Sequence, residues 1–406
     1  MPSTLPDGEP APLDGALPDA ALAAAGRQPF GVYVHVPFCA TRCGYCDFNT
    51  YTAAELGGGV STDTYADIAV AEIRLARRAL GAAEMPARTV FFGGGTPTLL
   101  APADIGRLLR AVADEFGLAA DAEVTVEANP ESVDARYLAD LRAAGANRLS
   151  LGMQSARAHV LATLDRRHTP GRPQQCVADA RAAGFAQVSL DLIYGTPGES
   201  DDDWRASLDA ALGCEVDHVS AYALIVEDGT RLAADVRRGR LPAPDDDVLA
   251  DRYLLADEVL SSAGLRWYEI SNWARTPAAR SRHNLAYWCS HDWWGIGPGA
   301  HSHVAGVRWW NVKHPSAYAE RLAAGRSPAH ARELLDDEAR RWERVLLGVR
   351  LVEGVSLSEL TASGRRAAER AAGEGLLDPA SYAEGRAALT LRGRLLGDAV
   401  ARDLLD

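Results

Sequence analysis

Lysine is nearly absent from this chain of 406 residues. Of its 42 basic residues, Lys313 is the one lysine, and the rest are arginines, as is typical of a GC-rich coding bias. A P-loop needs Lys directly before Ser or Thr, and Schiff-base chemistry needs a desolvated Lys. Lys313 precedes His314 and follows a Trp-Trp pair, where we expect a surface residue near a domain junction. The sequence therefore predicts neither a P-loop site nor a pyridoxal or aldolase-type enzyme.

Net positive charge and long apolar runs are also lacking. With 55 acidic residues the net charge is −13, so a nucleic-acid partner is not expected. No segment reaches the roughly 18 apolar residues of a membrane span. The first 26 residues contain no Lys or Arg and are interrupted by acidic residues, unlike a secretory signal. We therefore expect a cytoplasmic protein with a disordered, Pro/Ala-rich leader over residues 1–29.

Short apolar runs alternate with segments of helical spacing over the first two thirds of the chain. Six such runs begin near residues 31, 88, 123, 148, 187 and 218. Connections of this length suit βαβ crossovers, so the class is α/β with a parallel sheet. An open doubly wound sheet and a full or partial (βα) barrel both fit this pattern. Unusual residues follow one strand after another, which favours the partial barrel, because a barrel collects its site at the strands' C-terminal ends.

The composition changes twice after residue 265. Residues 30–265 are predicted to form the barrel core, and residues 266–329, which are rich in aromatic residues, are predicted to extend it. Residues 330–406 are rich in Arg, Glu, Ala and Leu at helical spacing. They are predicted to form a smaller, mainly helical C-terminal domain of the winged-helix kind.

The strongest local signal is CATRCGYC, which places Cys39, Cys43 and Cys46 directly after the first predicted strand. In a reducing compartment such cysteines are more typical of metal ligands or core residues than of disulfides. Structural zinc usually has four protein ligands, and a fourth at finger-like spacing is missing downstream. Three thiolates on a 4Fe-4S cluster leave one iron open for chemistry. A zinc site completed by His35 or by a remote residue is the alternative.

The residues around the cysteines carry a resemblance to a known family. VYVHVPFCATRCGYCDF resembles the opening of the radical S-adenosylmethionine (SAM) superfamily, and the prefix Tyr-x-His-x-Pro-Phe-Cys resembles its coproporphyrinogen III oxidase-like branch. The resemblance covers residues 30–310 and extends more loosely into the tail. It implies that Cys39, Cys43 and Cys46 hold a 4Fe-4S cluster whose open iron binds SAM.

The same resemblance implies a set of SAM contacts near the cysteines and at the ends of later strands. These residues are Tyr33, Tyr45, Gly94, Gly95, Thr96, Glu127, Gln154, Arg166 and Asp191. From the residues alone, the run GGG at 93–95 is equally typical of a tight turn. A solvated arginine is the alternative for Arg166, and a turn cap is the alternative for Asp191.

Two functions share this family's scaffold. One is the oxygen-independent coproporphyrinogen III oxidase or dehydrogenase, which uses a radical from SAM cleavage for oxidative decarboxylation in porphyrin biosynthesis. The other is a heme chaperone, which carries heme as cargo to an acceptor protein, with a membrane-associated acceptor as one candidate. The oxidase typically has a further cysteine where this chain has Phe48, and it has a longer N-terminal segment. Both features favour the chaperone, and the oxidase is the alternative.

The sequence HNLAYW matches a signature of the chaperone group and implies heme-binding residues. These are His283, Asn284, Tyr287 and Trp288. A histidine beside aromatic rings can serve as an axial ligand with flat apolar partners for a porphyrin. The alternative is that these side chains only hydrogen-bond and pack at the barrel rim, and His291, His301 and His303 are rival ligands. Whether SAM is cleaved in function stays open at this stage.

Overall fold

The computed structural model describes residues 7–56, 60–166 and 168–405. Within these residues, thirteen strands form one large sheet and two more form a small one. The strands of the large sheet are β1 (Glu9–Pro10), β2 (Phe30–Val36), β3 (Ala87–Gly94), β4 (Leu118–Ala128), β5 (Arg148–Gln154), β6 (Gln187–Tyr194), β7 (His218–Ala223), β8 (Arg266–Glu269), β9 (Asn272–Ala274), β10 (Asp292–Ile296), β11 (His301–Val304), β12 (Val307–Asn311) and β13 (Ala329–Leu334). The small sheet contains β14 (Val355–Ser356) and β15 (Arg386–Ala387).

Helices connect most of these strands. They are α1 (Asp19–Ala24), α2 (Thr62–Leu80), α3 (Pro102–Phe116), α4 (Ala135–Ala143), α5 (Ala158–Thr163), α6 (Arg172–Ala182), α7 (Asp201–Leu212), α8 (Arg231–Arg237), α9 (Asp246–Ser262), α10 (Arg282–Trp288), α11 (Pro315–Ala323), α12 (Asp337–Gly348), α13 (Ala362–Gly373), α14 (Pro379–Ala383), α15 (Leu391–Leu395) and α16 (Gly397–Leu405). None of the helices in the described ranges combines the length and the apolarity that a membrane crossing requires.

Seven neighbouring strands of the large sheet are parallel, in the order β10-β2-β3-β4-β5-β6-β7. Each strand from β2 to β6 leads through at least one helix into the next strand, as the alternation of the sequence predicts. Antiparallel strands extend both sides, so the sheet ends at β1 and β8 in the described residues. The predicted α/β fold, a partial (βα) barrel, is confirmed.

Strand β2 shows how the sequence produces two different faces. Val32, Val34 and Val36 are completely buried and belong to the main hydrophobic core. Tyr33 and His35 alternate with them and therefore lie on the other face of the sheet. Because parallel sheets are covered on both faces, this second face is also screened from bulk water. Its polar side chains face the barrel interior, where a site can form.

The prediction of a disordered leader is wrong from residue 7 onward. Strand β1 pairs antiparallel with β13, and the Arg332 guanidinium donates to the Glu9 carboxylate at 2.7 Å. Leu17 and Ala21 are buried in the main core. These partners lie more than 300 residues away, so local composition could not reveal them. Residues 1–6 of the predicted leader lie outside the described residues.

The C-terminal helices have a hydrophobic core of their own, which runs from Val345 to Leu404. The predicted boundary at residue 330 falls inside β13, which belongs to the large sheet. The helical part therefore begins with α12 rather than at 330. The remaining domain limits and the winged-helix description stay predictions.

Candidate functional site

A large cavity lies at the C-terminal ends of the parallel strands. Its volume is about 2160 Å³, and it is lined by the segments that follow β2, β3, β4, β5, β6 and β7. Sites for one small ligand usually measure roughly 300–1,000 Å³. The cavity therefore has room for more than one ligand. Its position is where a (βα) barrel assembles its functional residues.

The loop that carries the cysteines is fixed to the barrel by backbone hydrogen bonds. The Cys39 amide donates to the Tyr51 carbonyl (3.0 Å), and the Tyr51 amide donates to the Pro37 carbonyl (2.7 Å), so the loop closes on the end of β2. In its middle, the Gly44 amide donates to the Leu164 carbonyl at 3.1 Å. The loop thus has a defined path before any ligand is bound.

The three thiols of this loop face the same cavity. Cys39, Cys43 and Cys46 are half-buried, line the cavity and form no disulfide. Burial raises the pKa of the Cys39 thiol and raises that of Cys46 to about 11, with the neighbouring cysteines adding to the second shift. A bound metal deprotonates coordinating thiols and supplies the opposing charge. The residues present therefore fit a 4Fe-4S cluster, which Cys39, Cys43 and Cys46 would hold.

His35 does not complete a zinc site in this structure. It is 1% exposed, and its Nε2 lies 2.8 Å from the Asn49 carbonyl, while its Nδ1 lies 3.0 Å from the Tyr33 hydroxyl. Burial lowers the pKa of His35 to about 4, so the ring is neutral at physiological pH. Nε2 then donates to Asn49 and Nδ1 accepts from Tyr33, which occupies both ring nitrogens. In the described residues, no three His, Cys, Asp or Glu side chains are placed to hold one metal ion, Cys39, Cys43 and Cys46 included. In a 4Fe-4S cluster each of the three cysteines would instead bind a different iron.

The glycine-rich segment after β3 packs directly against the cysteine loop. The Gly95 amide donates to the Val36 carbonyl (2.8 Å), and the Thr96 amide donates to the Phe38 carbonyl (2.7 Å). A Cβ on Gly95 would collide with the Phe38 carbonyl, and Gly94 has a φ of +114°. Gly94, Gly95 and Thr96 line the cavity, as the resemblance implies, and their role as SAM contacts stays a prediction.

Two carboxyl groups lie in the cavity wall. The Gly94 amide donates to Glu127 Oε2 at 3.2 Å, and the Ser150 hydroxyl donates to Asp191 Oδ2 at 2.9 Å. Burial raises the pKa of Glu127 to about 8, with the charge of Asp191 adding to the shift, and burial also raises the pKa of Asp191. A ligand that donates hydrogen bonds from hydroxyl or amino groups would stabilise both carboxylates.

The end of β5 brings two further predicted residues to the cavity. Gln154 is 8% exposed and has a φ of 65°, which is uncommon for a side-chain-bearing residue and is concentrated at functional sites. Arg166 donates to the Gly152 carbonyl (3.0 Å) and to the Cys43 sulfur (3.4 Å). Because Gly152 lacks a Cβ, both side chains fit beside it. Arg166 is thus half-buried against the cysteine loop, and not a solvated arginine.

The two tyrosines predicted near SAM lie in different places. Tyr45 lines the cavity and packs against a small core that includes Val160 and Ile193. Tyr33 is not among the residues that line the cavity, and its ring lies close to Gly93 on β3. The structure therefore supports a cavity position for Tyr45 and not for Tyr33.

Two of the residues predicted to bind heme, His283 and Tyr287, lie in an aromatic group that we call the α10 cluster. It is formed by Tyr33, Phe91, His283 and Tyr287, of which His283 is buried and the other three are half-buried. His283 is 1% exposed and stacks on Phe91 with ring centroids 4.9 Å apart. Its Nδ1 lies 2.8 Å from the Thr89 hydroxyl, and its Nε2 lies 2.9 Å from the Tyr287 hydroxyl. Burial lowers the pKa of His283 to about 3. Both ring nitrogens already have partners, as the structural alternative expects.

The other residues of the HNLAYW motif also form hydrogen bonds within the protein. Trp288 hydrogen-bonds to the buried Glu269, and the Asn284 amide donates to the Ser281 hydroxyl at the start of α10. None of His283, Asn284, Tyr287 and Trp288 is among the residues that line the cavity. The assignment of these side chains as direct heme ligands therefore has no support in the geometry.

Sequence reasoning missed several residues at the mouth of the cavity. Phe48, Tyr222 and Ile225 line it although they are 48%, 41% and 65% exposed, and we call them the apolar rim. Lys313 lines it too and is half-buried, so it does not lie on the open surface as expected. Phe48 gave a signal only as the residue that stands in place of a cysteine.

Comparisons with known proteins identify related chains and a related fold. Residues 33–211 match the radical SAM superfamily domain. The chain is 57% identical to heme chaperone HemW of Mycobacterium tuberculosis over 95% of this chain and 97% of that protein, and 32% identical to heme chaperone HemW of Bacillus subtilis over 91% and 97%. The solved structure of coproporphyrinogen III oxidase HemN from Escherichia coli superposes with a TM-score of 0.79 at 23% identity, covering 95% of this chain and 91% of that one, which shows the fold.

Residues 33–211 carry a radical SAM domain, and the superposition on HemN shows the same fold. Identity above 30% over almost the whole length narrows the class further. The chain belongs to the HemW family of this superfamily.

Proposed function

We propose that this protein is a heme chaperone, which binds a 4Fe-4S cluster, SAM and heme and transfers heme to acceptor proteins. The observation that carries the proposal is the 57% identity to a heme chaperone over nearly the full length of both chains. The cavity volume of about 2160 Å³ supports it, because a cluster, a SAM molecule and part of a porphyrin need more space than one small ligand.

The cavity residues have separate tasks in this proposal. Cys39, Cys43 and Cys46 hold the cluster, which when bound supplies the electron for reductive SAM cleavage. The remaining cavity residues of the predicted set orient SAM. These are Tyr45, Gly94, Gly95, Thr96, Glu127, Gln154, Arg166 and Asp191. Glu127 and Asp191 accept hydrogen bonds from SAM, and Arg166 keeps the cysteine loop in register with β5.

The cellular setting follows from the same proposal. We place the protein in the cytoplasm, where thiols stay reduced and an iron–sulfur cluster can persist. The partner is a heme-acceptor protein, and a membrane-associated heme protein is one candidate. Coproporphyrinogen III oxidation is less well supported, because Phe48 stands where the oxidase typically has a further cysteine.

The test begins with anaerobic reconstitution of the cluster, followed by titration with hemin. We expect a stoichiometric heme spectrum, and transfer of that heme to a heme-free acceptor such as apomyoglobin. In parallel, the protein is incubated with coproporphyrinogen III, SAM and a reductant. If no stoichiometric heme spectrum appears and coproporphyrinogen III is converted, the chaperone proposal is wrong and the oxidase is correct.

A further inference from the structure

Three exposed apolar side chains line the cavity. The described residues include ten large hydrophobic side chains with substantial exposure, and three of them, Phe48, Tyr222 and Ile225, line this cavity. Single exposed hydrophobic residues are ordinary on a protein surface. Three that line one cavity are not scattered in this way, and apolar side chains exposed within a cavity are a usual mark of a ligand site.

The rim residues come from two separated parts of the barrel. Phe48 belongs to the cysteine loop after β2, whereas Tyr222 ends β7 and Ile225 follows it. In the sheet order, β3, β4, β5 and β6 lie between β2 and β7. The two loops meet where the Leu232 amide donates to the Gly44 carbonyl at 2.9 Å. The rim therefore combines apolar side chains from two loops that the fold brings to one cavity.

Lys313 lies in the wall beside Phe48. Its carbonyl accepts from the Asn49 side chain (2.9 Å) and from the Tyr51 hydroxyl (3.2 Å), and both of these residues follow Phe48 closely in the cysteine loop. This is the one lysine in a chain that otherwise uses arginine. An ammonium group is a compact, strongly hydrated charge that suits a carboxylate at a wet opening.

We propose that the apolar rim is the heme site, with the macrocycle against Phe48, Tyr222 and Ile225 and a propionate directed to Lys313. This inference rests on the proposed function and deepens it by naming where the cargo binds. Heme is flat and apolar with two carboxylates at one edge, and the rim with Lys313 matches both properties. A protein partner would need a broad surface, whereas these side chains line a deep cavity.

This location differs from the α10 cluster in one decisive respect. The rim side chains are exposed and can gain burial when a ligand arrives, whereas His283 is already 1% exposed with both nitrogens engaged. Burial of apolar area is the main source of affinity for a flat macrocycle. A heme at the rim therefore needs no rearrangement of the barrel interior.

The experiment titrates hemin into the cluster-loaded protein and follows the heme spectrum by difference absorbance. Phe48→Ala and Ile225→Ala are compared with Trp342→Ala and Val248→Ala, which remove exposed side chains of similar exposure outside the cavity. We expect Phe48→Ala to raise the hemin Kd about tenfold and Ile225→Ala about threefold. Both controls should bind hemin as the wild type does. The Phe48 backbone, which bonds to Cys46, is unchanged by the substitution.

The propionate contact is tested with a second probe, hemin dimethyl ester, which lacks free carboxylates. Lys313→Gln should raise the Kd for hemin about threefold to fivefold and leave that for the ester unchanged, and Lys313→Arg should restore hemin binding. Iron content and SAM binding show that each variant is loaded. If wild type binds no hemin, the proposed function fails. If wild type binds hemin and the rim variants bind it equally well, the rim belongs to a protein partner and this inference is overturned.

Discussion

The α10 cluster and the apolar rim both present aromatic side chains, yet they differ in burial and in polar satisfaction. In the α10 cluster, His283 is hydrogen-bonded at both ring nitrogens and its ring stacks on Phe91. At the rim, Phe48 and Tyr222 are more than 40% exposed. A satisfied, buried group stabilises the fold, whereas an exposed apolar group gains energy only when something covers it. The contacts of the recognisable motif support a structural role, whereas we propose that the residues of the apolar rim bind the cargo.

The structural role of the α10 cluster can be described bond by bond. The Glu123 carboxylate accepts from the backbone amides of Arg282 and His283, both at 3.1 Å, at the start of α10. An acidic group at a helix N-terminus is stabilising because unpaired amides point there. His283 then joins α10 to Thr89 on β3. The motif thus fixes α10, and with it the entry to β10, against the barrel.

The largest effects should come from substitutions in the cysteine loop. These would remove the cofactor from the cavity and leave the barrel and the α10 cluster in place. Cys39→Ala, Cys43→Ala and Cys46→Ala should each abolish the cluster absorption near ~400 nm, because three thiolates are the whole protein ligand set. Cys289→Ala is the control, since this exposed cysteine lies outside the cavity, and it should keep full iron content. A complete cluster in all three loop variants would refute the ligand assignment.

The next largest effect should be a loss of stability caused by a substitution in the α10 cluster. The same variant tests whether the α10 cluster, and not the apolar rim, binds heme. His283→Ala leaves the Thr89 and Tyr287 hydroxyls without their partner and opens a cavity, so unfolding by urea should become easier by about 2–4 kcal/mol. Hemin affinity of the folded variant should stay at the wild-type level. His330→Ala, at an exposed position, should change stability by less than about 0.5 kcal/mol. Lost hemin binding at unchanged stability would make His283 a heme residue after all.

Local patterns predicted the barrel well because each helix and strand is encoded within its own segment. Strands β5, β6 and β7 begin at residues 148, 187 and 218, where the apolar runs of the sequence predict them. Long-range pairs were out of reach: β1 meets β13 across the whole chain, and His283 meets Thr89 across 194 positions. The cysteine loop was predictable because its three cysteines lie within eight residues. The apolar rim was not predictable, because its side chains come from two loops that approach each other only in the folded protein.

A third prediction concerns SAM and compares two carboxyl groups within the cavity. Glu127→Gln replaces a carboxyl group, which hydrogen bonds from SAM would stabilise in its ionised form, with an amide that cannot ionise, so the SAM Kd should rise about tenfold. Glu131→Gln is the matched control, because Glu131 lines the same cavity but accepts from Thr169. Equilibrium dialysis with the cluster-loaded protein measures both. Equal affinity in the two variants would remove Glu127 from the SAM site.

The smallest effect should be a difference in pH dependence between wild type and Glu127→Gln. Burial raises the pKa of Glu127 from 4.5 to about 8, so between these pH values the folded protein retains a proton that the unfolded chain releases. The stability that this retained proton contributes is complete below pH 4.5 and is lost as pH rises through about 8. Wild type should therefore lose stability relative to Glu127→Gln by about 1 kcal/mol from pH 5 to pH 8.5, since partial exposure screens the charge. Urea titrations of the SAM-free protein measure this, and parallel curves for both proteins would show that Glu127 is not buried in a carboxyl-rich wall.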